Sequence, residues 1–258
     1  MRTTNNTILI TGGATGIGLA LAEAFLAKGN TVIICGRRES KLREAQAKYP
    51  ALHIRVYNVG SATDRTALLA WATQEFPALN VLINNAGIQC EIDFRRGTAD
   101  FDTPTGESEI AINFEGVVHL TALFVPHLMQ QREAAVVQVS SGLALVPMAV
   151  APVYCATKAA LHSLTLRHQL RDTSVRVFEV LPPIVETDLD QGARERRGQK
   201  QTGISPEQVA TETLRGLERA DFEIAIGRVK ALRIVSRIIP KRIFGIMNRI
   251  TEKRWRVP

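Results

Sequence analysis

The feature that most constrains this chain is an apolar, β-branched run, Thr7-Ile8-Leu9-Ile10, followed at once by Thr11-Gly12-Gly13-Ala14-Thr15-Gly16-Ile17-Gly18. Helical spacing then carries Leu19, Leu21, Ala22, Phe25 and Leu26 to a stop at Gly29. A strand that turns straight into a helix aims the helix N-terminus at whatever occupies the turn. Bare glycine backbone lets a pyrophosphate approach closely, and the unpaired amides of the first helical turn favour its charge. The pattern predicts a βαβ unit with a dinucleotide at the carboxyl edge of a parallel sheet.

The remainder alternates in the same way. Strands are expected at 31–35, 52–57, 80–83, 135–139, 175–181 and 222–226. Helices are expected at about 40–48, 64–76 and 109–131, around Tyr154, and after Ser205-Pro206-Glu207, where an N-cap serine precedes a proline at the first helical position. No internal repeat or Pro/Ser-rich linker divides the chain. The expected fold is α/β: a single-domain, Rossmann-like, doubly wound parallel sheet with helices on both faces, over residues 1–227, plus a basic amphipathic helical tail at 228–258.

Charge has to be located before it is interpreted. The 258 residues carry a net +7, which at first suggests nucleic acid. From Arg228 onward there are ten Lys or Arg against the single acid Glu252, a net of +9, so the body is left at −2. Within the tail, Leu232, Val235, Ile239, Ile243, Ile246 and Ile250 recur at three- and four-residue steps, and Pro240 splits them into two short helices. Two uses are open: packing on the body or another subunit, or docking on an anionic membrane surface with Trp255 at the interface. With Trp255 and Phe244 its only aromatics, the tail is poorly equipped to stack bases, and no nucleic-acid partner is expected.

Other classes fall away. The most apolar stretch, 134–154, is broken by Gln138, Ser140, Ser141, Pro147 and Pro152, as suits a buried strand leading into a loop. The first seven residues are polar and contain no signal-peptide run. Cys35, Cys90 and Cys155 are odd in number and far apart. The five histidines, His53, His119, His127, His162 and His168, show neither metal spacing nor a nucleophile–base pairing. No metal is expected, and the expected compartment is the cytoplasm, with the tail at most peripheral to the inner membrane face.

Two side-chain patterns carry chemistry. Tyr154 and Lys158 lie four apart, so on a helix the phenol and the ammonium share one face. A phenol titrates near pH 10 and is a poor acid/base at neutral pH, and a neighbouring cation brings it into the working range. The second pattern is at the end of the second strand. Where an NAD-selective site places an acid, 18 residues beyond Gly18, this chain has Gly36 followed by Arg37 and Arg38. A guanidinium clamps a 2′-phosphate that a carboxylate would repel, so NADPH is the preferred cofactor, with NADH also admitted.

Taken together, Thr11-Gly12-x-x-x-Gly16-x-Gly18, Asn84-Asn85-Ala86-Gly87, Asn113, Ser141, Tyr154-x-x-x-Lys158 and Pro182…Thr187 resemble the short-chain dehydrogenase/reductase family in order and spacing over residues 7–227. Residues 84–89, 154–163 and 167–173 are most similar to its DltE-type oxidoreductases. The resemblance implies hydride transfer between a nicotinamide and a carbonyl/alcohol substrate. Tyr154 is implied as acid/base, Lys158 as the cation that lowers the phenol pKa and binds the nicotinamide ribose, Ser141 as the donor to the substrate oxygen, and Asn113 as the holder of a relay water. Spacing favours Ser141, and Ser140 is the alternative.

For the cofactor, the resemblance gives Gly12, Thr15, Gly16, Ile17 and Gly18 to the pyrophosphate and ribose, Arg37 to the 2′-phosphate, and Asn58 and Val59 to adenine. It gives Asn85, Ala86 and Gly87 to the ribose side, and Val185 and Thr187 to the carboxamide. It also implies a homodimer or homotetramer. Two departures stand out: Asn58 replaces the usual acid, keeping both a donor and an acceptor, and Pro182-Pro183 replaces Pro-Gly, removing one N–H. The polar segment 188–205 reads equally well as a lid or as plain disorder, and its Arg194, Arg196 and Arg197 would attract an anionic group. The competing function is a non-catalytic NADP(H)-binding sensor or a membrane-docked adaptor, which would have no use for an acid/base.

Overall fold

The computed structural model describes residues 1–97, 108–164, 166–190 and 203–252. Seven strands form one sheet in the order 3-2-1-4-5-6-7: β1 (Thr7–Thr11), β2 (Thr31–Gly36), β3 (His53–Val56), β4 (Leu79–Asn84), β5 (Ala134–Val139), β6 (Val175–Leu181) and β7 (Glu223–Ala225). Every pairing is parallel. The order reverses between β1 and β4, and a crevice opens beyond the carboxyl ends of strands at such a switch point. Thr11 and Asn84 end the two strands there.

The strands are continuously apolar because both faces are covered. From β1, Ile8 and Ile10 enter a core with Val32, Ile34 and Ile83, closed by Leu21 and Phe25 of α1 (Gly16–Leu26) and Leu214 and Leu217 of α7 (Pro206–Arg219). Leu9 points the other way, with Ile33 and Leu82, toward Leu68 of α3 (Ala62–Glu75) and Leu120 and Phe124 of α4 (Gly116–Leu128). Phe124 is fully buried, so its truncation to alanine should cost about 3–5 kcal/mol. Ala111–Leu128 is long and apolar enough to cross a membrane. Here it supplies core side chains to the sheet.

The expected strands all form, with ends moved by at most one residue. The helix expected at 109–131 differs more, because Ala111–Glu115 forms a π-turn before α4 starts. Gly116 allows the close approach this brings, since a Cβ there would lie 2.8 Å from the Val59 carbonyl. Two further helices complete the body, α2 (Glu39–Lys48) after β2 and α5 (Pro152–His162) after β5, with a short turn, α6 (Leu166–Gln169), before β6. α7 starts as the sequence indicates. Ser205 Oγ accepts from Gln208 N–H, Gln208 Oε1 accepts from Ser205 N–H, and Pro206 follows the cap.

Beyond β7 the chain forms α8 (Val229–Ile238) and α9 (Pro240–Glu252), broken where Pro240 requires. Val229 packs with Leu145, Leu181 and Ala225. Asn248 is buried against the loop before α5. The segments 98–107, 191–202 and 253–258, which hold Arg194, Arg196, Arg197 and Trp255 and most of the suggested lid, lie outside the described residues.

Candidate active site

The glycine turn is shaped by what its residues lack. Gly12 and Gly16 adopt φ of +64° and +54°, where a side chain is strained. A Cβ on Gly12 would meet the Ala86 backbone at 2.9 Å, one on Gly16 would meet Thr187 Cγ2 at 3.0 Å, and one on Gly18 would meet the Gly12 carbonyl at 2.3 Å. These contacts draw together the ends of β1 and β4, the start of α1 and the loop after β6. The α1 N-terminus has no side-chain cap: Thr15 makes no capping bond, and no acid lies in the first turn. Its orphan amides and positive dipole end are suited to an anion.

Cations complete that cradle. Arg37 and Arg38 are exposed at the end of β2, and Arg38 Nη2 donates to Thr15 Oγ1 at 3.3 Å. Arg37 has a lowered pKa, first from partial desolvation and then from the charge of Arg38. Asn58 Oδ1 accepts from Gly60 N–H at 3.0 Å, and its backbone N–H donates to Asp64. Val59 is buried, and its carbonyl accepts from Arg65. Val185 pairs with Ile204 in an isolated bridge. Uncapped helix, cationic pair and bare glycines suit a dinucleotide phosphate.

The Asn85 side chain is engaged with the glycine turn. Its Nδ2 donates to the carbonyls of Thr11 and Gly12 at 3.0 and 3.1 Å. Thr11 Oγ1 in turn accepts from the N–H groups of Asn85 and Ala86. The Asn85 amide locks the glycine turn to β4, and Thr11 is its unforeseen partner. Gly87 is adjacent to the catalytic candidates: a Cβ there would lie 3.3 Å from Asn113 Oδ1 and 3.6 Å from Lys158 Nζ.

Tyr154 and Lys158 lie one turn apart on α5, and both are buried. Lys158 Nζ is 5.6 Å from the Tyr154 ring centroid and donates to the Val139 carbonyl at 2.9 Å. Burial lowers the Lys158 pKa to about 8, and the charge of Glu179 works against that fall. Asn113, on the π-turn, accepts from Ile88 N–H at 2.9 Å and donates to the Ile88 carbonyl at 2.8 Å, with a longer contact to Thr157. π-Turns frequently mark functional positions, and this one carries Asn113 to the end of β4.

The two serines differ in their commitments. Ser140 donates its hydroxyl proton to Glu179, and Glu179 also pairs with His162 Nδ1 at 2.9 Å. Ser141 Oγ accepts from Leu143 N–H at 3.1 Å, which leaves its proton to give. The sequence missed Glu179 and His162, although an acid inside the apolar strand Val175–Leu181 was a visible signal. Glu109 was missed as well. It lies one helical turn before Asn113 and accepts from Cys90 N–H at 2.9 Å. Burial pushes its carboxyl up to about 7. Among the described residues no group of three His, Cys, Asp or Glu side chains could hold a metal.

This fold and these residues have relatives. The short chain dehydrogenase family model matches residues 6–198. The chain is 54% identical over 250 residues to the uncharacterized oxidoreductase DltE of Bacillus subtilis, covering 96% of this chain and 98% of that one. It is 28% identical over 216 residues to the NADP-dependent 3-hydroxy acid dehydrogenase YdfG of Escherichia coli K12, covering 79% and 85%. In fold it is similar to a short-chain dehydrogenase/reductase of Burkholderia phymatum in complex with NAD (TM-score 0.82, 22% identity, 94% and 96% covered). A short-chain dehydrogenase of Burkholderia cenocepacia in complex with NADP gives 0.80, with 22% identity and 96% and 99% covered. The chain belongs to the short-chain dehydrogenase/reductase family of oxidoreductases.

Proposed function

We propose that this protein is an NADPH-preferring oxidoreductase that interconverts a carbonyl and an alcohol, with Tyr154 as its acid/base. The observation that carries the proposal is Lys158, a buried amine with a pKa lowered to about 8, on the same helix face as the Tyr154 phenol and beside Gly87 and Asn113. When bound, the nicotinamide supplies or takes the hydride at the substrate carbon. In the reductive direction Tyr154 gives its proton to the substrate oxygen, a step typically worth roughly 10²–10⁴-fold. Lys158 as ammonium stabilises the phenolate that results. Ser141 donates to the same oxygen, because Ser140 is held by Glu179. Asn113 anchors the proton path from Lys158 toward solvent.

Cofactor preference follows from Arg37 and Arg38, with no acid at Gly36 to oppose them. The NADP named for the Escherichia coli and Burkholderia cenocepacia proteins supports this choice. Asn58 Nδ2 has no partner among the described residues, which suits an adenine acceptor. The test is oxidation of NADPH, with NADH in parallel, by purified protein over a panel of aldehydes and ketones. Turnover favouring NADPH is expected. A protein that binds NADPH but reduces no carbonyl would leave the sensor reading in its place.

A further inference from the structure

The tail buries part of its apolar stripe and leaves another part outward. Leu232, Val235 and Ile243 are half-buried, whereas Ile234, Ile238, Ile239, Phe244 and Ile246 are exposed, Ile238 at 71% and Ile234 at 58%. Both helices are fixed to the body. Lys230 and Arg233 of α8 pair with Glu212 and Glu223, and Val229 lies against Gly142, where an added Cβ would meet it at 2.8 Å. Asn248 of α9 accepts from Ala149 N–H at 2.6 Å and donates to the Pro147 carbonyl at 3.3 Å. The exposed face is therefore held rigidly on the loop that joins Ser141 to the Tyr154 helix.

Cations surround that face. Among the described residues no carboxylate pairs with Arg237, Lys241, Arg242 or Arg249, and the first three are exposed beside the outward isoleucines. We infer that α8 and α9 form a docking surface for an anionic lipid bilayer. Ile234, Ile238, Ile239, Phe244 and Ile246 enter the interface, and Arg237, Lys241 and Arg242 meet lipid phosphates. Charge complementarity selects this occupant. A second copy docked face to face would set the same cations against one another. Amphipathic basic helices bind anionic interfaces through both terms, apolar burial and attraction to the headgroups.

Flotation of the full-length protein with vesicles of pure phosphatidylcholine, and of phosphatidylcholine mixed with phosphatidylglycerol, tests the inference at low and high salt. Binding is expected only with phosphatidylglycerol, weakening as salt rises. Each cation removed should cost about fivefold in partitioning, so Arg237→Glu with Lys241→Glu should abolish flotation. Ile234→Ser with Ile238→Ser should also release the protein, with its melting temperature and NADPH affinity retained. Failure of the native protein to float at low salt overturns the inference, as does a serine variant that floats like the native chain. A serine variant whose mass by light scattering falls, from a native protein indifferent to vesicles, would make this face a contact between copies. None of these readouts depends on carbonyl turnover.

Discussion

The glycine turn and the Tyr154–Lys158 helix lie at the same crevice but work by opposite means. The turn functions through absence: no Cβ at Gly12, Gly16 and Gly18, no cap on α1 and no acid at position 36. The helix functions through presence, with a charge placed where burial makes it uncomfortable and tuned by Glu179 behind it. Adding atoms should damage the first region and leave chemistry in the second untouched. Removing charge should retune the second and leave cofactor binding intact.

The largest effect is expected at Gly18→Ala. Its Cβ would be forced to 2.3 Å from the Gly12 carbonyl, a backbone atom that cannot step aside. Overpacking of this kind costs about 1–3 kcal/mol of stability, and NADPH binding by fluorescence titration should be lost. Retained binding would show that the turn tolerates added atoms. Arg37→Ala should come next, raising the KM for NADPH by about 10–100-fold while leaving NADH unchanged, the magnitude of a lost charge-assisted contact. An equal rise for both cofactors would mean that Arg37 does not face a 2′-phosphate.

Glu179→Gln sharpens the other side of the comparison. The negative charge of Glu179 raises the Lys158 pKa against the stronger effect of burial, so its loss lets that pKa fall further. The alkaline limb of the reductive kcat/KM profile should therefore move to lower pH. NADPH affinity should hold. A limb that does not move would disconnect Glu179 from the site.

The smallest effect is expected at Glu109→Gln. The Glu109 carboxyl titrates at about 7 when folded, against an ordinary value of about 4.3. Stability is therefore highest with the carboxyl protonated, and it is lost as pH rises through 7. Glutamine keeps an acceptor for Cys90 N–H without the charge. The variant should melt about 2–4 °C above the native protein at pH 8, with the gap closing near pH 4. A gap independent of pH would deny the buried charge.

Much of this was legible beforehand, and the reasons are local. β-Branched runs, the glycine turn and the Ser205-Pro206 cap each act over a few residues, so the strands and the helix starts could be read directly. Tyr154 and Lys158 could be paired because one helical turn separates them. What escaped notice depends on partners far apart in sequence. The Thr11–Asn85 lock spans 74 residues, and the Glu179–His162 pair joins β6 to α5. The π-turn at Asn113 was hidden because its five residues carry an ordinary helical pattern. In the tail, only the fold could show that Val229 and Asn248 turn inward while Ile238 stays out.

The most direct test of the acid/base assignment is a single-turnover measurement of carbonyl reduction by the NADPH-loaded protein, native against Tyr154→Phe. The account predicts a loss of about 10²–10⁴-fold in rate with the affinity for NADPH unchanged. A variant that reduces the carbonyl as fast as the native protein would contradict it.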